Sequence, residues 1–220
     1  MQSLSFQLGV IPVRVHPSFF LTTALMNIGL LDRDLARLLV WMIIVFGSVL
    51  LHELGHAAAG LAFGLEPAID LHGMGGTTSW SATRRVSHAQ RIVISLAGPG
   101  MGLAVGTAVL LVASRLVGVS SDLGQWATAS IVYVNIVWSL FNLLPMLPLD
   151  GGNVLLSGLD IATRGRGARP AHFVSLVAAV GALVAAFLFR SVWCGLLALL
   201  FAVSNWQWLE RNGGTSIRSR

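Results

Sequence analysis

The stretch that decides the fold is "LLVWMIIVFGSVLLHELGHAAAG", residues 38–60, where an apolar run leads directly into two histidines and a glutamate. Residues four apart lie one turn above each other on a helix, so His52 and His56 can direct two imidazoles at one metal ion. Zinc binds imidazole nitrogen, and the adjacent Glu53 can reach a bound water as a general base. An ionisable residue within a membrane span is a functional-site hypothesis by default. The stretch therefore predicts a metal-binding helix inside a membrane.

Composition supports a membrane protein. The 220 residues are 55% hydrophobic and only 10% charged, whereas soluble domains carry roughly 25% charged residues. The length predicts one domain, residues 1–210, followed by a flexible tail, residues 211–220. Cys194 is the only cysteine in the sequence, which excludes an intrachain disulfide and a cysteine-based zinc site. The basic residues are all arginine, which in a polytopic protein indicates cytoplasmic loops rather than a nucleic-acid partner.

Apolar segments long enough to cross a bilayer predict an all-α polytopic membrane protein with about six transmembrane helices. The candidate spans are approximately residues 18–31, 35–63, 92–119, 129–147, 173–189 and 191–208. Between the second and third lies "AIDLHGMGGTTSW", residues 68–80, in which short runs flank a glycine cluster. This pattern predicts a small membrane-associated β-hairpin, with a plain polar loop as the alternative.

The distribution of arginine predicts the orientation. With six spans, the two tails and the loops after the second and fourth spans lie on one side of the membrane. That side would hold ten arginines: Arg14, Arg84, Arg85, Arg91, Arg164, Arg166, Arg169, Arg211, Arg218 and Arg220. The other side would hold four: Arg33, Arg37, Arg115 and Arg190. The positive-inside rule then places both termini in the cytoplasm and the two histidines in the cytoplasmic half of the second span.

A catalytic zinc ion usually takes three protein ligands, so a third is expected. The candidates near membrane depth are Asp70, His72, Asp150 and Asp160. Topology favours Asp150, because the fourth span would end on the same side as the histidines. Pro145 and Pro148 interrupt that span, and Gly151 and Gly152 permit a sharp turn beside an ion.

Two motifs together resemble the site-2 protease family of intramembrane zinc metalloproteases, in a compact form without PDZ or CBS domains. They are "HELGH", residues 52–56, and "NLLPMLPLDGG", residues 142–152. The resemblance implies one Zn²⁺ ion bound by His52, His56 and Asp150, with Glu53 as the catalytic acid and base. The sequence departs from the family at Gly102, where many members carry asparagine.

The resemblance also implies a function. The expected reaction is hydrolysis of a peptide bond within or near the transmembrane segment of a single-span membrane protein. Expected substrates are an anti-sigma factor or a membrane-tethered regulator, first trimmed by a site-1-type protease, in a prokaryotic cell membrane. Candidates for binding the substrate or the oxyanion are Asn142, Gly73, Gly75 and Gly76. The predicted hairpin could also pair with an unwound substrate as an added strand.

Three alternatives stay open at this point. A membrane zinc transporter would need ligands along a path through the bilayer, and a non-catalytic membrane adaptor would not need Glu53. A different membrane zincin would take a glutamate as third ligand, for which only Glu66 and Glu210 are available. For His16 and His72, a structural hydrogen-bonding role is favoured over direct chemistry.

Overall fold

The computed structural model describes residues 3–31, 33–81, 85–113, 115 and 121–213. The described chain is mostly helical and carries one small sheet. Its helices are α1 (Pro17–Met26), α2 (Leu35–Ala62), α3 (His88–Ala113), α4 (Asp122–Asn142), α5 (Asp150–Thr163), α6 (Ala168–Leu188) and α7 (Val192–Gly213). Its strands are β1 (Leu4–Leu8), β2 (Ile11–Val15), β3 (Pro67–His72) and β4 (Gly75–Trp80).

Four of these helices, α2, α3, α6 and α7, are long and apolar enough to cross a membrane, as expected of a multi-pass integral membrane protein. Helix α1 has only 10 residues, which is too short to span a bilayer. Helix α4 has 21 residues but is not among the four, because polar residues such as Asp122, Gln125 and Asn135 lower its mean hydropathy. The count of six spans is therefore not confirmed, and the described chain supports four.

Proline and glycine account for the largest differences from the predicted spans. Helix α4 ends at Asn142, whereas the predicted fourth span ran to residue 147. Pro145 and Pro148 follow, and proline in a helix interior removes a hydrogen-bond donor and clashes with the preceding turn. Helix α5 was not predicted, because two glycines in its first turn lower its helix propensity.

The sheet has the strand order β1-β2-β3-β4. Strands β1 and β2 pair antiparallel, β2 and β3 parallel, and β3 and β4 antiparallel. The sequence predicted only a hairpin in this region, so β1 and β2 are additional. Gly9 lies between them at a φ of 61°, a left-handed conformation that favours glycine.

One face of the sheet forms the core of the first compact unit, which comprises the described residues of 1–85 and 97–141. Val13, Val15, Ile69 and Leu71 alternate with outward-facing polar residues along β2 and β3 and are at most 1% exposed. They pack in one cluster with apolar side chains of α1, α2 and α4. Because this face is buried, the sheet is held beside α2, the helix that carries His52, Glu53 and His56.

The second compact unit comprises the described residues of 86–96 and 142–220. Within it, α6 and α7 pack together as an antiparallel pair joined at Arg190, which has a φ of 53°. Helix α7 continues to Gly213, so the first residues of the predicted tail are helical. Residues 214–220 lie outside the described residues. Of the arginines used to predict the orientation, Arg84, Arg218 and Arg220 also lie outside them. The single domain 1–210 stays a prediction.

Candidate metal centre

His52 and His56 lie one turn apart on α2, and their imidazoles face each other. The two Nε2 atoms are 3.1 Å apart, and the ring planes are inclined at 82°. The ligand atoms of His52, Glu53 and His56 all lie within 4.8 Å of one another. Within the described ranges, this is the one cluster of three side chains that could hold a metal ion.

The donor set fits zinc. Two nitrogens bound to a tetrahedral zinc ion at about 2.0–2.1 Å lie roughly 3.3 Å apart. The separation of 3.1 Å between the Nε2 atoms is close to that value, so one ion could accept both. Glu53 is 5% exposed and His56 is 7% exposed, so polar groups here lie in a largely dry site. Burying such groups is costly unless they are paired or bind a metal.

Thr78 of strand β4 holds the Glu53 side chain. Its hydroxyl lies 2.7 Å from Oε2 of Glu53 and 3.1 Å from the Glu53 backbone oxygen, and it can donate to either. Thr78 alternates along β4 with the more exposed Thr77. Sequence reasoning missed Thr78, because two adjacent threonines give no signal of which one faces the helix.

Three glycines make room for the site. A Cβ atom at Gly76 would lie 2.6 Å from Oε1 of Glu53, and one at Gly55 would lie 2.5 Å from the backbone oxygen of Ala97. A Cβ atom at Gly98 would lie closer than 3.0 Å to three atoms of the His56 ring. Strand β4 and helix α3 can therefore approach α2 this closely only because these positions lack side chains.

The glycines named as substrate-binding candidates have contacts of their own. The backbone N–H of Gly73 donates to the Ser18 hydroxyl at 3.1 Å. Gly75 has a φ of 123°, which an L-residue with a side chain rarely adopts, and Gly76 packs against Glu53. These contacts position the β3–β4 hairpin, and the substrate-binding role of the three glycines stays a prediction.

Asp150 is the first residue of α5 and belongs to the second unit, as does Asn142 at the end of α4. Both side chains are half-buried. The cluster of three potential ligands does not include Asp150, and its role as third ligand stays a prediction.

The other candidates for the third ligand make hydrogen bonds or ion pairs that account for these polar side chains. Asp70 lies 3.4 Å from Arg14 and 3.8 Å from His16 across the sheet. The Nδ1 atom of His72 accepts a hydrogen bond of 3.2 Å from the Met74 backbone. Asp160 accepts a hydrogen bond of 2.8 Å from the Gly167 backbone and lies 3.8 Å from His88.

At Gly102, the departure from the family pattern has a packing explanation. A Cβ atom there would lie closer than 3.0 Å to the Ser139 hydroxyl of α4. One turn earlier on α4, the Asn135 amide donates to the Ser48 hydroxyl at 2.8 Å. Position 102 therefore lacks a side chain because α4 occupies the space that one would fill.

The chain resembles known zinc metalloproteases in sequence. A putative zinc metalloprotease of Synechocystis sp. is 33% identical over 242 residues, an alignment that covers 95% of this chain and 58% of that protein. A zinc metalloprotease of Methanocaldococcus jannaschii is 27% identical over 152 residues, covering 68% of this chain and 43% of that protein. The chain thus spans about half the length of these curated relatives. No protein-family model matches it.

The fold is also known. The solved structure of the site-2 protease from Methanocaldococcus jannaschii matches with a TM-score of 0.68 and 24% identity, and the match covers 94% of each chain. Fold and site thus define a polytopic membrane protein with a candidate metal centre on α2. These similarities to proteins named zinc metalloprotease and site-2 protease confirm the resemblance to the site-2 protease family predicted from the two motifs. Zinc is the metal that the names of the relatives specify, and the donor set agrees with it.

Proposed function

We propose that this chain is an intramembrane zinc endopeptidase that hydrolyses a peptide bond within or near the transmembrane segment of a single-span membrane protein. The observation that carries the proposal is the pair of imidazole Nε2 atoms 3.1 Å apart, on His52 and His56, beside the Glu53 carboxylate. The three residues lie on α2, a helix long and apolar enough to cross a bilayer. The names of the curated relatives support the same activity.

In this proposal His52, His56 and Asp150 hold one zinc ion. When bound, zinc polarises the scissile carbonyl and lowers the pKa of water toward neutrality. The assignment of the two histidines is supported by their facing nitrogens. The assignment of Asp150 is supported by the match of residues 142–152 to the second family motif.

Glu53 acts as the general base and general acid. Its carboxylate accepts a proton from the attacking water and later donates that proton to the leaving amine. The hydroxyl of Thr78, 2.7 Å from Oε2, fixes the direction of the carboxylate. Because Glu53 is buried, bulk water competes little for the same position.

Substrate binding is proposed to use the sheet. A transmembrane helix keeps its own peptide bonds hydrogen-bonded, so the substrate must unwind locally before cleavage. Strand β4 is at an edge of the sheet, and an edge strand can pair with an extended peptide. Asn142, Gly73, Gly75 and Gly76 are proposed to contact the substrate or the developing oxyanion.

The proposed orientation has both termini and the active site on the cytoplasmic side of a prokaryotic cell membrane. The asymmetry in arginine supports this orientation. It requires two crossings of the bilayer in addition to the four candidate spans, as predicted from the sequence for residues 18–31 and 129–147. The proposed substrates are an anti-sigma factor or a membrane-tethered regulator, trimmed first by a site-1-type protease.

A comparison of membrane proteomes tests the proposal. Cells that produce the wild-type chain would be compared with cells that produce Glu53→Gln, which removes the base but keeps a side chain of the same size. We expect a membrane-bound stub to accumulate only in the variant, since loss of a general base costs about 10²–10⁴ in rate. Glu66→Gln is the matched control, because Glu66 contacts only the Ser81 hydroxyl, at 3.3 Å, in the described contacts. Identical proteomes in the wild type and in Glu53→Gln would contradict the proposal.

A further inference from the structure

Two buried side chains hold the backbone of Leu147, in the segment that leads to Asp150. We name residues 143–149, between α4 and α5, the motif loop. The backbone N–H of Leu147 donates to the Ser175 hydroxyl of α6 at 3.0 Å. Its backbone oxygen accepts a hydrogen bond of 2.8 Å from the Asn205 amide of α7. Ser175 and Asn205 are at most 1% exposed.

Both side chains are fixed by further contacts. The Ser175 hydroxyl donates to the Ala171 backbone oxygen at 2.8 Å. The Asn205 amide also donates to the Phe201 backbone oxygen at 2.8 Å, and Oδ1 of Asn205 lies 2.8 Å from Nδ1 of His172. The His172 ring in turn stacks on Trp208, with ring centroids 3.8 Å apart. A polar network in an apolar helix pair is costly unless every member is satisfied, and this one is well satisfied.

The first turn of α5 packs on the backbone of the motif loop. A Cβ atom at Gly151 would lie closer than 3.0 Å to the Leu143 and Leu144 backbone, and one at Gly152 would clash with the Leu147 nitrogen. The first turn of α5 therefore packs directly on the backbone that Ser175 and Asn205 hold. The Asn153 amide adds hydrogen bonds of 3.2 Å to the backbone oxygens of Pro148 and Leu149.

We propose that Ser175 and Asn205 are positioning residues for the metal centre, which hold the motif loop so that α5 presents Asp150 in one fixed place. The proposal rests on the proposed function, in which Asp150 is a zinc ligand. It gives α6 and α7 a role in the reaction although neither carries a proposed ligand. Groups that orient metal ligands typically change metal affinity by about 10–100-fold when they are removed.

The test measures zinc affinity of the purified full chain in detergent, by competition with a chromogenic chelator. Thermal unfolding of the metal-free protein is measured beside it. Ser175→Ala removes the acceptor of the Leu147 N–H, and Ser157→Ala is its matched control. Both serines are fully buried in the second unit, and the Ser157 hydroxyl has no hydrogen-bond partner among the described residues. Asn205→Leu removes the donor to the Leu147 oxygen, with Asn212→Leu as control, because the Asn212 amide donates to Trp208 of its own helix.

We expect Ser175→Ala and Asn205→Leu to bind zinc about tenfold more weakly, while Ser157→Ala and Asn212→Leu stay within about twofold of wild type. If Asn205→Leu fails to fold, Ser175→Ala decides. Asp150→Asn separates the two proposals. If it weakens zinc binding while Ser175→Ala and Asn205→Leu do not, the positioning role is wrong and the ligand assignment stands. If Asp150→Asn binds zinc as tightly as wild type, the ligand assignment fails, and the positioning role fails with it.

Discussion

The potential ligands on α2 and the carboxylate of Asp150 are positioned in different ways. His52, Glu53 and His56 come from five consecutive residues, and the helical repeat alone brings their ligand atoms within 4.8 Å of one another. Asp150 depends on a motif loop whose backbone is held by side chains 28 and 58 residues further along the chain. A site whose residues lie on one helix can be recognised from a short sequence motif. A site that depends on tertiary packing can be recognised only from the folded structure.

Among changes that affect the potential ligands on α2, Gly98→Ala is expected to have the largest effect. The new Cβ would lie closer than 3.0 Å to the His56 ring, so the imidazole must move or α3 must separate from α2. We expect zinc affinity, measured by chelator competition, to fall by about a hundredfold.

Gly100→Ala is the matched control, because a Cβ at that position would meet no described heavy atom within 4 Å apart from its chain neighbours and its own helix backbone. Its zinc affinity should equal that of the wild type. An equal loss in both variants would show that helix α3 responds to any added methyl group, and that contact with His56 is not the cause.

A smaller effect is expected from Gly152→Ala, which tests the dependence of the second region on close backbone packing. The new Cβ would meet the Leu147 nitrogen and the Met146 backbone. Overpacking of this kind costs typically about 1–3 kcal/mol of stability. We expect thermal unfolding in detergent to show the loss.

Gly158→Ala, in the same helix, provides the control for this prediction. Apart from its chain neighbours and its own helix backbone, no described atom lies within 4 Å of its added Cβ. Replacing glycine by alanine inside a helix favours folding by about 0.5–1 kcal/mol. If Gly152→Ala unfolds at the same temperature as Gly158→Ala, the packing of α5 on the motif loop does not contribute to stability.

The smallest effect is expected from Thr78→Val, which tests whether Glu53 on α2 depends on a contact from strand β4. Valine keeps the shape of threonine but cannot donate to Oε2 of Glu53. We expect kcat for the substrate identified from the stub to fall by about tenfold, with KM and zinc content unchanged.

Thr78→Ser should restore most of this activity, because the hydroxyl returns. Thr77→Val serves as the control from the same strand, since the one hydrogen bond of the Thr77 hydroxyl among the described residues is to the Asp70 backbone oxygen, at 3.5 Å. Equal activity in Thr78→Val and in Thr77→Val would mean that Glu53 needs no support from β4.

The sequence predicted the membrane class, the resemblance to site-2 proteases and the facing histidines, because each depends on composition or on local spacing. The N-terminal strands were missed because strand β2 contains Pro12, which lowers its strand propensity. The count of six spans is not confirmed, because α1 is short and α4 carries Asn135 and other polar residues, which leaves four candidate spans among the described residues.

The supporting residues could not be predicted for a different reason. Ser175 and Asn205 are single polar residues in apolar helices, and nothing local connects them with Leu147. The same holds for Thr78, whose partner is 25 residues earlier in the chain. Each contact exists only after the helices and strands have packed, so no local pattern encodes it.

The most direct test of the central claim is the zinc content of the purified full chain, compared between the wild type and His56→Ala by elemental analysis. His88→Ala is the control, because that imidazole lies 3.8 Å from Asp160 and has no proposed role at the metal centre. Replacing one of the two facing imidazoles removes a proposed ligand. We predict about one zinc ion per chain in the wild type and in His88→Ala, and a large loss in His56→Ala. A wild-type protein without zinc, or a His56→Ala protein that retains it fully, would contradict the proposed metal centre.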